Sequence, residues 1–181
     1  PERSVCIGGD NLVISPGFGA SWIIDSEADL RPPLLQDYND FCKLVQTSAH
    51  IDMNGILMVD PSDLPADQAH LEMLRSNILL CDKPFLGSSA SRQAAIDSLE
   101  MAGMIWGGKV ALKDLPVLMP IISALSPLQY SAEHTASLIE YASYGQPILI
   151  GQLMMAGTTG PVSLPSLLAL QNAEILAAVV L

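Results

Sequence analysis

Ile148-Leu149-Ile150-Gly151-Gln152-Leu153-Met154-Met155-Ala156-Gly157-Thr158-Thr159-Gly160-Pro161-Val162-Ser163-Leu164 decides the fold. An apolar run enters a Gly/Thr-rich turn, and an apolar segment of helical period leaves it. Strand, turn and helix start in that order make a βα-loop, the place where α/β scaffolds concentrate their functional groups.

The same beat recurs upstream. Ile56-Leu57-Met58-Val59 reads as a buried strand followed by a helix from Asp67 to Leu80. Phe85-Leu86-Gly87 reads as a second strand with a helix from Arg92 to Ile105. Val117 to Ile122 precedes a helix from Ala132 to Tyr144, and Ile148 to Leu153 precedes one from Leu164 to Leu181. The four βα units recur at roughly thirty-residue spacing. Their continuously apolar strands are expected to be buried on both faces of a parallel sheet. The strand ends are Val59-Asp60-Pro61-Ser62, Gly87-Ser88-Ser89, Ala124-Leu125-Ser126-Pro127 and Met155-Ala156-Gly157-Thr158-Thr159. All are small or polar, and the first carries no Gly-rich phosphate loop. Equivalent loops suit a (β/α)8 TIM-type barrel better than an open doubly wound sheet. A whole barrel needs about 250 residues, so residues 32–181 would supply its first half. Pro1 is not an initiator methionine and the last helical pattern runs on to Leu181, so the chain reads as an internal piece of a longer protein.

Residues 1–31 differ. Val5-Cys6-Ile7, Leu12-Val13-Ile14 and Trp22-Ile23-Ile24 are short apolar runs separated by Gly8-Gly9-Asp10-Asn11 and Ser15-Pro16-Gly17-Phe18-Gly19. Short strands joined by glycine turns predict a β-hairpin or meander layer. Pro32-Pro33 then opens a helix carrying Leu34, Leu35, Tyr38, Phe41, Cys42 and Val45 at helical spacing.

Half of the 181 residues are apolar and 15% are charged, so a large core is available. The formal charge of −11 excludes nucleic acid as a partner, because phosphate binding needs clustered Lys and Arg. No apolar run is long enough to span a bilayer, and no signal peptide opens the chain. Cys6, Cys42 and Cys81 form no C-x-x-C pair, which argues against disulfides or cysteine zinc sites and for a reducing cytoplasm. His50, His70 and His134 lack metal-ligand spacing. Hence no metal site is expected.

At the fourth loop the sequence resembles the trimethylamine methyltransferase family, corrinoid-dependent enzymes that demethylate methylated amines and betaines. The resemblance rests on Gly157-Thr158-Thr159-Gly160-Pro161-Val162-Ser163-Leu164 and Gln171-Asn172-Ala173-Glu174-Ile175-Leu176-Ala177. Cys81-Asp82-Lys83-Pro84, Leu125-Ser126-Pro127-Leu128 and Gly8-Gly9-Asp10-Asn11 add weaker matches, in family order over essentially the whole chain. Pro165-Ser166 replace the commoner Ala-Gly, and Ser163 replaces Thr. The resemblance implies a barrel enzyme that moves a methyl group from a small methylated amine to the Co(I) of a cognate corrinoid protein or of cobalamin. A quaternary amine such as glycine betaine is the favoured substrate. The alternatives are a trimethylamine-specific enzyme with pyrrolysine, whose position would lie beyond Leu181, and a non-catalytic barrel that binds a corrinoid protein. A homo-oligomer is compatible with either. A lyase or aldolase is disfavoured, since no strand end offers Lys and only Asp60 is a carboxylate there.

On this resemblance Gly9, Asp10, Asn11, Thr158, Thr159 and Ser163 are the candidate corrin-binding residues. Asp10, Asn11 and the three hydroxyls would bond corrin amides, while the Gly8-Gly9 pair permits close backbone approach. Simpler readings stand beside these. Gly8 to Asn11 is also a plain turn, and Ser163 a helix N-cap that bonds a free backbone N–H. Gln171 and Glu174 share a helix face and are expected to be solvated or to bond a loop, with a contact inside the barrel layer as the alternative. Lys83, on the wrong strand end for catalysis, reads as structural. Ser88, Ser89 and Ser126 are possible pocket-lining residues. Phe18, Trp22 and Trp106 could face a quaternary ammonium but read first as core or interface residues. No nucleophile or general base stands out, so the catalytic residues are not identified.

Overall fold

The computed structural model describes residues 3–24 and 29–181. The expectations that touch Pro1, Glu2 and residues 25–28 lie outside the described residues. The chain divides into two compact units, Pro1–Leu86 and Gly87–Leu181.

In the first unit, β1 (Ile23–Ile24) pairs antiparallel with β2 (Leu30–Arg31), with Ile23 opposite Arg31 and Ile24 opposite Leu30. This hairpin is what forms of the expected meander. Val5-Cys6-Ile7 and Leu12-Val13-Ile14 are not strands; between them a single bridge, Gly8 to Asn11, closes a tight turn. Ile14 shows why. Its N–H donates to the Asp52 carboxylate (2.8 Å) and its C=O accepts from the Asp52 N–H (2.8 Å), so neither group is left for a strand partner.

Helix α1 (Leu35–Thr47) buries Tyr38, Cys42 and Val45, a stripe at i, i+4 and i+7. Leu34 has no polar side chain to cap it. Instead the Leu34 N–H donates to Asp37 (2.7 Å) and the Leu35 N–H to Asp63 (2.8 Å). The Arg31 guanidinium forks onto both Asp37 oxygens at 2.7 Å and holds that carboxyl below its ordinary value. Helix α2 (Ala69–Leu80) packs on α1.

Ile56 to Val59 is buried or half-buried as expected, yet it is not a strand. Side chains take the groups at its entrance, while the Leu57 and Met58 carbonyls accept the backbone N–H groups of Gly19 (2.7 Å) and Ala20 (3.3 Å). The Tyr38 hydroxyl lies 2.9 and 3.0 Å from the Gly55 and Ile56 carbonyls, Asn77 Nδ2 donates to Gly55 O, and Gly55 N–H donates to Asn54 Oδ1. What remains are two isolated parallel bridges, Asn54 to Phe85 and Ala20 to Val59.

Strand β3 (Phe85–Gly87) is wholly buried, with Gly87 falling in the second unit. There helix α3 (Arg92–Ile105) packs on α4 (Ala132–Ser143), a 3₁₀ turn spans Lys109–Asp114, and α4 covers β4 (Leu118–Ser123). β4 alternates buried and half-buried residues, with Leu118, Pro120 and Ile122 inward. It pairs in parallel with β5 (Leu149–Gly151), in the register Ile121–Leu149, Ile122–Ile150 and Ser123–Gly151. Helix α5 (Leu164–Val180) lies on β5, and Ile122, Leu138 and Ala178 form a core with Tyr130, Ile148 and Ile150 packed around it. A Cβ at Gly87 would sit 2.5 Å from the Tyr141 hydroxyl oxygen and 2.8 Å from Leu118 Cδ1, so this position accepts only glycine without repacking. The architecture is α/β with a parallel β4–β5 pair. The described residues do not close a barrel.

Candidate functional site: the C-terminal edge of β4 and β5

Parallel pairing puts the C-terminal ends of β4 and β5 side by side, so the loops 124–131 and 152–163 leave the same edge. Gln152 joins them. Its Oε1 accepts the Ala124 N–H (3.3 Å) and its Nε2 donates to the Tyr130 hydroxyl (2.9 Å). Tyr130 in turn donates to the Glu174 backbone carbonyl (3.0 Å). Burial raises the Tyr130 phenol, an effect that the Gln152 bond opposes and the charge of Glu174 reinforces.

Glu174 is 1% exposed. Its carboxylate accepts from the Ser126 hydroxyl (2.8 Å) and from the Leu128 N–H (2.7 Å). Leu128 has φ +58°, and the Leu125 N–H bonds Gln129 O, so Glu174 holds a tightly turned loop from below. Of the two expected readings, a solvated residue or a bond to a loop, Glu174 takes the second. The signal was present: Glu174 is the one charged residue in a mostly apolar helix, and such a residue is rarely buried without partners.

The second loop is a compact turn. Thr158, Thr159 and Gly160 direct their N–H groups at Met155 O, all at 3.1 Å, and the Thr159 hydroxyl accepts the Met155 N–H (2.9 Å). Thr158 is exposed, its hydroxyl unengaged among the described residues. Ser163 is the N-cap residue of α5 but makes no side-chain cap bond, contrary to the capping expectation. Pro165 at the second helical position has no N–H, which removes one of the two donors a cap normally uses. The exposed Ser163 hydroxyl is therefore open to a ligand. Leu125, Leu128, Leu153, Met155, Val162 and Leu164 expose apolar surface on the same loops.

Gly9, Asp10 and Asn11 belong to the first unit and are exposed. Gly8 and Gly9 have φ of +110° and +60°, the conformation that calls for glycine. Asn11 Nδ2 donates to Gly8 O (3.0 Å) and contacts Cys6 Sγ (3.4 Å), leaving its Oδ1 outward of the turn's own bonds.

The remaining candidates are engaged within the protein. Ser88 is buried, and its carbonyl accepts from the Tyr141 hydroxyl (2.8 Å). Ser89 donates to Ile121 O (2.7 Å). Lys83 is 3% exposed and donates to the carbonyls of Val45, Ser48 and Ile51 at 2.6–2.7 Å, closing the C-terminal end of α1. Phe18 and Trp22 are exposed at 60% and 58%, so they are not core residues of the described structure. Among the described residues no three His, Cys, Asp or Glu side chains cluster as a metal site, and no helix is long and apolar enough to cross a membrane.

The model of the trimethylamine methyltransferase (MTTB) family matches residues 1–181. A glycine betaine methyltransferase of Desulfitobacterium hafniense strain Y51 is 44% identical over 179 residues, covering 99% of this chain and 37% of that protein. The trimethylamine methyltransferase MttB of D. hafniense strain DSM 10664 / DCB-2 is 27% identical over 186 residues, which is 100% of this chain and 36% of that protein. A proline betaine:corrinoid methyltransferase of Eubacterium limosum is 27% identical over 177 residues, 91% of this chain and 35% of that protein. The chain thus spans little more than a third of the length of these relatives. With the family model matched from end to end, this chain belongs to the trimethylamine methyltransferase family.

Proposed function

We propose that the whole protein moves a methyl group from a quaternary amine of the glycine betaine type to the Co(I) of a cognate corrinoid protein. The 44% identity to a glycine betaine methyltransferase, against 27% to the trimethylamine and proline betaine enzymes, carries the choice of substrate. The corrinoid supplies the nucleophilic metal that accepts the methyl group, while nitrogen keeps the bonding pair and leaves as a neutral amine. Little acid–base help is needed, which suits an edge built of hydroxyls, turn amides and apolar side chains. The task left to the protein is orientation.

The chain's own residues fit such a ligand. In the second unit Thr158 and Ser163 offer free hydroxyls to the amides that fringe a corrin; in the first unit, taken by itself, Asp10 and Asn11 are candidates for the same kind of bond on the family resemblance. Gly9 lets the backbone approach, and Thr159 fixes the turn that presents Thr158. In the same reading residues 1–31 form a layer ahead of the first half of a (β/α)8 barrel, residues 32–181. The parallel β4–β5 pair supports this arrangement. A reducing cytoplasm suits three free cysteines.

The test follows the Co(I) band of chemically reduced cobalamin with the full-length protein. Its loss with glycine betaine, and growth of methylcobalamin, is the expected result. Reaction with trimethylamine alone would favour the pyrrolysine type, and reaction with neither would sink the proposal. Asp10→Ala and Ser163→Ala should each weaken cobalamin binding; unchanged affinity in both overturns the residue assignment.

A further inference from the structure

We propose that Glu174 is a positioning residue whose buried charge, uncompensated by any cation among the described residues, favours a cationic ligand over an uncharged one at the C-terminal edge of β4 and β5. The inference rests on the substrate reading above and deepens it.

Three observations carry it. Glu174 is 1% exposed, and both of its oxygens are occupied by neutral donors, the Ser126 hydroxyl and the Leu128 N–H. A buried carboxylate normally finds a cationic partner. The second unit has none to spare. Between Gly87 and Leu181 there are three Lys and Arg side chains, Arg92, Lys109 and Lys113, against six acidic ones, and the His134 ring nitrogen lies 3.1 Å from the Ser123 carbonyl. Arg92 is bound to Glu140 at 2.6 Å, Lys109 lies 3.9 Å from Glu100 and over the Tyr144 ring, and Lys113 faces the same ring. Lastly, the loop that Glu174 holds is the rim of the edge itself, where Leu125 and Leu128 are exposed at 54% and 67%. A negative charge fixed beneath an apolar rim is poorly screened. A quaternary ammonium cannot donate a hydrogen bond, so its charge is recognised through such a field or through aromatic faces. The one aromatic residue of these two loops, Tyr130, is half-buried, its hydroxyl held by Gln152 and the Glu174 carbonyl.

Glutamine isolates the charge. In Glu174→Gln the side-chain oxygen can still accept the Leu128 N–H, while its NH₂ donates to a Ser126 hydroxyl that rotates to accept. Leu128→Lys is the companion variant, since it sets a cation on the exposed rim above Glu174 without touching the core. Calorimetric titration of the full-length protein would compare glycine betaine with its carbon isostere 3,3-dimethylbutyrate, which keeps the shape and the carboxylate but lacks the quaternary charge. Tetramethylammonium serves as the probe independent of the betaine assignment.

Wild type should prefer the ammonium compounds. Both variants should lose about tenfold in affinity for them, the size expected of one partly screened charge, with the isostere unchanged or tighter. Equal loss for charged and uncharged ligands would reduce Glu174 to a structural role and overturn the proposal, as would no loss at all. Binding of tetramethylammonium without glycine betaine would sink the substrate reading while the charge effect is still read on the simpler cation. A wild type that binds neither ammonium compound overturns both.

Discussion

Lys83 shows how a charged residue can be entirely structural. Its ammonium is buried against three carbonyls that lie 32 to 38 positions away in sequence. Lys83→Met in the full-length protein should lower unfolding free energy by about 3 kcal/mol, because three buried acceptors lose their donor; urea denaturation measures it. The sequence supported a structural Lys83 from its place at a strand entrance, but partners so distant in the chain leave no local pattern. For Glu174 the sequence left a solvated side chain and a loop contact both open, because its loop partners lie 46 and 48 residues away. Cys42 makes a separate prediction. Burial pushes its thiol up to about 11, so the reactive thiolate is scarce at pH 8. Peptide mass spectrometry after iodoacetamide treatment should find the exposed Cys6 alkylated and Cys42 protected until the protein is unfolded.

Among the helices, local signals carried well. α3, α4 and α5 begin at the residues expected of them, because caps and apolar period are both local properties. The capping roles differ, however. Ser91 accepts from the Ala94 N–H (3.1 Å) and Ser131 from the His134 N–H (3.0 Å), whereas Ser163 makes no such bond. Replacing Ser91 or Ser131 by Ala should each cost about 1 kcal/mol, and Ser163→Ala close to nothing. Equal costs at the three sites in denaturation experiments would contradict this account. The entry to α1 depends on pH. Asp37 sits below its ordinary value of 3.8 because of Arg31. Its contribution is complete above about pH 4 and is lost as pH falls through the lowered value. Arg31→Met should therefore shift acid unfolding to higher pH, as circular dichroism would follow. Strands were less legible than helices. The apolar run 56–59 satisfies every compositional rule for a strand, but the Tyr38 hydroxyl reaches its first carbonyl and its backbone pairing with Gly19 and Ala20 stays a single bridge.

Across the whole chain, the order of the last three βα units was readable, whereas the first expected strand, 56–59, does not form. The candidate site was only half readable. The hydroxyls at Thr158 and Ser163 stand out in a Gly/Thr turn, whereas the Gln152–Tyr130–Glu174 connection arises only once β4 and β5 lie in register. α5 is apolar on nearly all sides and exposes Leu168, Leu176, Val179 and Val180. Residues 1–181 expressed alone should consequently bind a hydrophobic dye strongly, and the full-length protein weakly. A comparable low signal from both would mean that this face is covered from within residues 1–181. The amide pair Asn54–Asn77, joined at 2.6 Å in the buried first unit, has a consequence for folding fidelity. If segment 54–60 slid by one position, Gly55 would be delivered to the place of Asn54, and the Asn77 carbonyl oxygen would lose the side-chain amide that now meets it. The two asparagines thus act as a detent, a notch that lets an otherwise slippery apolar segment come to rest in one alignment only.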